Sequence, residues 1–222
     1  MEDNREVDED IEKIIRNIVQ HYVWNNNEMF SEYIPTLDKK NQCKGSDYIL
    51  SDYDGKYRNL IVDEKAAYTY VNIPLKTFAL ETLFKNRLGE MVDGWFIKVD
   101  NITEAYAFVW PTEANVPKKP NSDFWDYTKL SIDNILELEI VLVLKKNIVE
   151  YLDSIGLTTD RIREISREMY ESGTTRRIVN GIKFTYGTRR NDRETPVNLL
   201  FPRPMLREMA IYRKFLTTKQ YE

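Results

Sequence analysis

Apolar residues between positions 9 and 24 recur at helical spacing. Ile11, Ile14, Ile15, Ile18 and Tyr22 share one face, which predicts an opening helix stopped by Asn25–Asn27. A loop over Ile34–Lys44 then leads to Gly45–Ser51, which reads as a strand. Asp52–Lys56 (DYDGK) carries the Asp-Gly pair of a hairpin turn, and Tyr57–Ala66 is the returning strand. Thr77–Phe84 is expected as a strand, with Lys85–Gly94 turning it into another at Trp95–Val99. Glu104–Trp110 gives the next strand, and Pro111–Asn121, with three prolines, reads as a surface loop. Glu137–Leu144 is a buried strand. Lys146–Ser154 and Thr158–Ser172 are helices, the second capped by Thr158 or Thr159 with Ile162, Ile165 and Met169 on its inner face. Arg176–Tyr186 and Pro196–Phe201 read as strands joined by a basic loop, and Pro204–Leu216 as a closing helix with proline at its start. The order of elements predicts an α+β or mixed α/β fold, with a central mixed β-sheet flanked by helices. One domain is expected over 1–222: helix and β-meander through 112, then strand, helices and a basic C-terminal part from 122.

Composition narrows the chemistry. No apolar run is long enough for a membrane helix, since Leu138–Leu144 is short and β-branched. The opening MEDNREVDED is acidic and lacks an apolar core, so no signal peptide and a cytoplasmic address are expected. One cysteine, Cys43, and one histidine, His21, exclude an intrachain disulfide and a His/Cys metal site. A metal would need oxygen ligands, which favours Mg²⁺ or Mn²⁺. Cys43 reads as a partly buried small residue, His21 as a structural neighbour of the first helix, and the four tryptophans as packing anchors. GxxxxGK[ST], GxGxxG and GxSxG are all absent, which removes the simplest nucleotide-binding and serine-hydrolase readings.

Charge is unevenly spread. The chain carries −4 overall, yet from Thr174 to the end eleven Lys and Arg stand against four acids, a local +7. Such asymmetry suits a polyanion-facing surface. Arg176, Arg177, Arg189, Arg190 and Arg193 are the candidate phosphate contacts there.

The segment GSDYILSDYDGKYRNLIVDEKAA (45–67) holds the candidate chemistry. Alternation on the returning strand puts Asp63 and Lys65 on one side, with Ile61 beneath. A hairpin turning about Gly55 sets Asp47 opposite Asp63, with Cβ atoms roughly 4.5–5.5 Å apart. Two carboxylates so placed share a divalent cation, and Lys65 adds a positive charge one pleat away. Asp52 and Asp54 are alternatives to Asp47 as the first acid. A cation there neutralises a phosphodiester and activates water, while a lysine orients that water or steadies developing charge.

Asp47 with Asp63-Glu64-Lys65 resembles the motif of the PD-(D/E)xK nuclease superfamily, whose strand–turn–strand context also matches. The resemblance covers the hairpin and, loosely, the helix before it. Ser46 stands where that motif carries proline. The resemblance implies a restriction-endonuclease-like core and a Mg²⁺-dependent endonuclease, with DNA as partner and restriction or anti-phage defence as setting. Asp47 and Asp63 would be metal ligands and Lys65 the water-orienting cation. A third acid from the first helix or a neighbouring strand is also implied. Glu81 and, after it, Glu32 are the candidates, with Gln42 supporting. Cutting both strands implies a homodimer. The rival readings are a nuclease-like subunit that only binds nucleic acid or protein, and an RNA-directed nuclease.

Overall fold

The computed structural model describes residues 5–26, 28–86, 88–187 and 195–217. In chain order its elements are α1 (Arg5–Val19), β1 (Phe30–Pro35), α2 (Lys39–Gln42), β2 (Tyr48–Asp52), β3 (Leu60–Ala66), β4 (Thr77–Lys85), β5 (Met91–Asp93) and β6 (Ala105–Ala114). They continue as β7 (Ile135–Leu144), α3 (Lys145–Ser154), α4 (Thr159–Ser172), β8 (Arg176–Val179), β9 (Ile182–Tyr186), β10 (Val197–Pro202), α5 (Arg203–Glu208) and β11 (Ala210–Thr217). The fold is α+β with mixed strand pairing. Contacts group it into two compact units: residues 1–75, 103–144 and 210–222, and residues 76–102 and 145–209. Sequence patterning offers no sign of this division, because both units are discontinuous and neither is bounded by a linker.

The first unit is built on a six-stranded sheet ordered β1-β2-β3-β6-β7-β11. Every neighbouring pair is antiparallel except β3 and β6, which are parallel. A parallel pair cannot close through a tight turn. Here residues 76–102, part of the second unit, lie between the two strands in the chain. On α1, Ile11, Ile15, Ile18 and Val19 are buried and join Tyr48, Leu50, Val62, Ala107, Val109, Ile140 and Leu142 in one core. Glu6 and Asp8 in its first turn suit the positive end of the helix dipole. The helix continues as a π-turn, Gln20–Trp24, whose Trp24 packs against Phe30 and Tyr212.

The second unit has an antiparallel sheet ordered β5-β4-β10-β9-β8. Helix α4 packs on β4, β10 and β9. Its N-terminus is capped by Thr158, and Gly173 ends it in the left-handed conformation. Thr82 and Ser166, both fully buried, share a 2.7 Å hydrogen bond, and the Arg163 guanidinium grips both Asp93 oxygens at 3.0–3.1 Å. Gly94 sits so close to β4 that a Cβ would stand 2.5 Å from the Glu81 carbonyl oxygen. No helix among the described residues is long and apolar enough to cross a membrane.

Several sequence expectations need correction. The segment expected as loop after residue 34 begins inside a strand, β1, and contains the short α2, capped by Asp38. Strand β6 runs on through Pro111, which pairs with Leu138 just before a bulge. Trp95–Val99 forms turns closed by Ile97 and Lys98 amides on the Gly94 carbonyl, and the strand is Met91–Asp93 instead. The closing helix stops at Glu208. Its expected continuation is β11, with Tyr212 and Phe215 paired along β7. Pro204 does start a helix, but β-branched and aromatic residues beyond Met209 fit a sheet edge better than a fourth helical turn. Cys43 is exposed, not partly buried.

Candidate active site

The β2–β3 hairpin adopts the register that a turn about Gly55 demands. Tyr48 pairs with Val62, Ile49 with Ile61 and Leu50 with Leu60, so each pair of numbers sums to 110. Gly55 and Asn59 take positive φ in the connecting loop, as the reversal requires. Asp47 lies one step before β2. Its N–H donates to the Val62 carbonyl at 2.8 Å and its own carbonyl accepts from Thr36 N at 2.9 Å. The lead-in is fixed by buried Ser46, whose hydroxyl meets that of Thr36 at 2.8 Å, so serine does here with a hydrogen bond what proline would do by rigidity. Gln42 holds the same loop through Nε2 to the Thr36 carbonyl at 2.7 Å, a supporting role away from the carboxyls.

Asp63 is almost fully buried, and its Oδ1 lies 2.7 Å from Lys65 Nζ. Burial pushes the Asp63 carboxyl up to about 6, against the pull of Lys65. Asp47 raises it further, both by its charge and because the two carboxyls lie close enough to share a proton. Lys65 loses by desolvation but gains more from Asp63, Asp47 and Glu12, so its ammonium is held above the ordinary lysine range. In the parallel β3–β6 register Asp63 pairs with Tyr106 and Lys65 with Phe108, and burial plus the Asp63 charge drive the Tyr106 phenol well up.

Both Asp47 oxygens are engaged. Oδ1 accepts from Arg16 Nη2 at 2.9 Å and Oδ2 from the Glu64 main-chain N–H at 2.8 Å. Glu64 itself lies on the pleat face opposite Asp63 and Lys65. Burial pushes its carboxyl up to about 8, with Arg16 opposing and Asp47 assisting. Glu12, one helical turn before Arg16 on α1, accepts from the Tyr68 hydroxyl at 3.4 Å and is raised by desolvation despite the nearby charges of Arg16 and Lys65. Tyr33 and Tyr48 close this side. Burial and the Glu64 charge lift Tyr33 to about 12 and Tyr48 well above its usual range. Among the described residues of the first unit, the cluster includes the carboxyls of Glu12, Asp47, Asp63 and Glu64 and the cations Arg16 and Lys65. Two of its shielded acid oxygens, Asp63 Oδ2 and Glu64 Oε2, meet no hydrogen-bond donor.

A shielded oxygen without a donor is costly unless a proton or cation serves it. The donor set, all hard carboxylate oxygen, fits Mg²⁺ or Mn²⁺. Among the described residues no three His, Cys, Asp or Glu side chains stand in a metal-holding group, and Arg16 and Lys65 are paired to Asp47 and Asp63.

The hairpin brings Asp47, Asp63 and Lys65 together. Asp52 and Asp54 go instead to the turn end, lining a surface cleft of about 460 Å³ with Glu28, Tyr53 and Tyr57. Glu32 is exposed on β1, and Glu81 belongs to the second unit, where its carbonyl accepts from Phe96 N at 3.1 Å. Within the first unit Glu12, Arg16 and Glu64 join the cluster. Sequence reading passes over Glu12 and Arg16 because they flank the apolar stripe of α1 and look like ordinary solvated charges. Their i, i+4 spacing next to Ile11 and Ile15 is the one available hint. Arg176 and Arg177 lie on β8, an edge strand of the second unit, with Arg176 exposed and Arg177 paired to Glu168. Arg189, Arg190 and Arg193 fall outside the described residues. No family model, curated protein or solved structure matches the chain.

Proposed function

We propose that the first unit is a divalent-metal-dependent nuclease that hydrolyses phosphodiester bonds, acting on DNA as an endonuclease. The observation that carries this reading is the meeting of Asp47 and Asp63 beside Lys65, with Asp63 Oδ2 left without a donor. Asp47 and Asp63 would hold Mg²⁺ or Mn²⁺, and Glu12 lies near enough in charge to assist. Such an ion supplies charge neutralisation at the phosphate and Lewis acidity toward the attacking water. Lys65 presents its ammonium beside Asp63, where it orients water or meets charge developing on a phosphoryl oxygen. The Glu64 N–H fixes the rotamer of Asp47 from the rigid strand β3. A mixed sheet with the acids on one hairpin supports the resemblance to the PD-(D/E)xK superfamily and its restriction-endonuclease-like core. By that resemblance the setting is restriction or anti-phage defence, and cutting both strands calls for a homodimer. The arginines at Arg176, Arg177 and beyond would position the phosphate backbone.

A second reading rests on a specific observation: Arg16 and Lys65 already neutralise Asp47 and Asp63. A site satisfied by its own cations suits a nuclease-like subunit that binds nucleic acid without cutting it. Incubation with plasmid and Mg²⁺ separates the two, with EDTA and Lys65→Ala as controls. Cleavage abolished by both controls supports the enzyme, and its survival in both rejects the mechanism. Intact plasmid under all conditions favours the binding subunit, and parallel RNA substrates identify an RNA-directed nuclease.

A further inference from the structure

Arg16 is in an unusual position for a helix-surface arginine. Its side chain is 31% exposed, so solvent reaches it, yet Nη2 is committed to Asp47 Oδ1 at 2.9 Å and its Nε is shielded with no partner. Asp47 Oδ2 is held by a main-chain N–H of β3, a donor that cannot swing away. The oxygen on which exchange is possible is therefore Oδ1, and Arg16 covers it. Lys65 lies on Asp63 in the same manner, but along its own strand. Arg16 reaches in from another element, α1, at the end of a flexible stem.

We infer that Arg16 is an exchangeable counter-ion: it covers Asp47 Oδ1 until a divalent cation takes that oxygen, and the released guanidinium then binds a backbone phosphate of the nucleic acid. This rests on the nuclease reading of the same site. A dication attracts a carboxylate more strongly than a monovalent, charge-delocalised guanidinium at similar distance. Once displaced, the guanidinium faces a less negative cluster, while its planar fork matches phosphate oxygens. Glu12, one turn away on α1, adds a negative charge near the arginine. The exchange would tie metal occupancy to substrate binding: the group that grips phosphate becomes available only when the metal is in place.

The test uses the full chain and two readouts that need no cleavage. The first is the Mn²⁺ affinity by calorimetry, without nucleic acid, for the wild type and Arg16→Gln. Loss of the competing cation should tighten Mn²⁺ binding roughly two- to fivefold. A residue that merely positions Asp47 predicts weaker binding instead, and that result overturns the proposal. The second is duplex DNA binding in Ca²⁺ by fluorescence anisotropy, where Arg16→Gln should weaken affinity and lower the salt slope by about one phosphate contact. An unchanged slope overturns the phosphate role. If the variant does not fold, a Mn²⁺-loaded wild-type crystal decides: Arg16 Nη2 should stand beyond about 4 Å from Asp47 Oδ1. An intact ion pair beside bound Mn²⁺ refutes the exchange alone, whereas failure of the wild type to bind Mn²⁺ at all refutes the nuclease reading with it.

Discussion

Lys65 Nζ stands 2.7 Å from Asp63 Oδ1, two residues along one strand and on one face of it. The pair ties an ammonium to a carboxyl that burial would otherwise neutralise, and leaves Asp63 Oδ2 buried without a donor. Substituting Lys65→Ala should therefore act twice. Cleavage of plasmid in Mg²⁺ should fall roughly 10²–10³-fold. The Asp63 carboxyl, followed by carbon-13 NMR, should titrate above its present value of about 6 because the lowering charge is gone. Unchanged cleavage rules out Lys65 as the group beside the reacting phosphate.

Glu12 and Glu32 make opposite predictions. Glu12 shares charge with Arg16, Lys65 and Asp47, so Glu12→Gln should reduce Mn²⁺ affinity and slow cleavage by about tenfold or more. Glu32→Gln should leave both within about twofold, since Glu32 is exposed on β1. A larger loss with Glu32→Gln than with Glu12→Gln would reverse this assignment.

What sequence could reveal here follows the range of the interaction. The Asp-Gly turn and strict alternation set the hairpin register locally, so Asp47 opposite Asp63 is readable from residues 45–67 alone. Strand β11 is not readable in this way. AIYRKFLT becomes strand through its pairing with β7, some seventy residues away in the chain. Pro111 hides the length of β6, because proline reads as a strand break, yet it pairs with Leu138 just before a bulge. Glu12 and Arg16 look solvated until tertiary contact brings Asp47 thirty-one residues forward onto Arg16. Glu64, the spacer of the motif by resemblance, is found important only once its surroundings by Tyr48 and Arg16 are known.

Gly94 makes a purely structural prediction for the second unit. A Cβ there would stand 2.5 Å from the Glu81 carbonyl oxygen and 2.6 Å from its carbon, backbone atoms held in β4. Gly94→Ala should cost about 1–3 kcal/mol in urea unfolding, as overpacking does elsewhere. A stability equal to wild type means that β4 and the turn after β5 separate more easily than their close approach suggests.

The shielded carboxyl of Glu64 sets the sign of the protein's pH dependence. Its folded value of about 8 lies well above the ordinary 4.5, and Asp63 at about 6 lies above 3.8. Between those limits the folded chain binds more protons than the unfolded one, so unfolding free energy falls as pH rises. The contribution is complete below about pH 4 and is lost as pH passes 6 for Asp63 and 8 for Glu64. The melting temperature should thus decline between pH 6 and 9, by roughly 2–4 °C for each kcal/mol lost. Glu64→Gln removes the larger of the two ionisations, so its melting temperature should vary less over that range and exceed the wild type's at pH 9. Mg²⁺ should reduce the Asp63 part of the wild-type decline, because a cation held by that carboxyl replaces the proton it would otherwise require. Scanning calorimetry at pH 6, 7.5 and 9 measures all three effects, and parallel curves for wild type and Glu64→Gln would mean that this carboxyl is better solvated than its surroundings by Tyr33, Tyr48 and Arg16 imply.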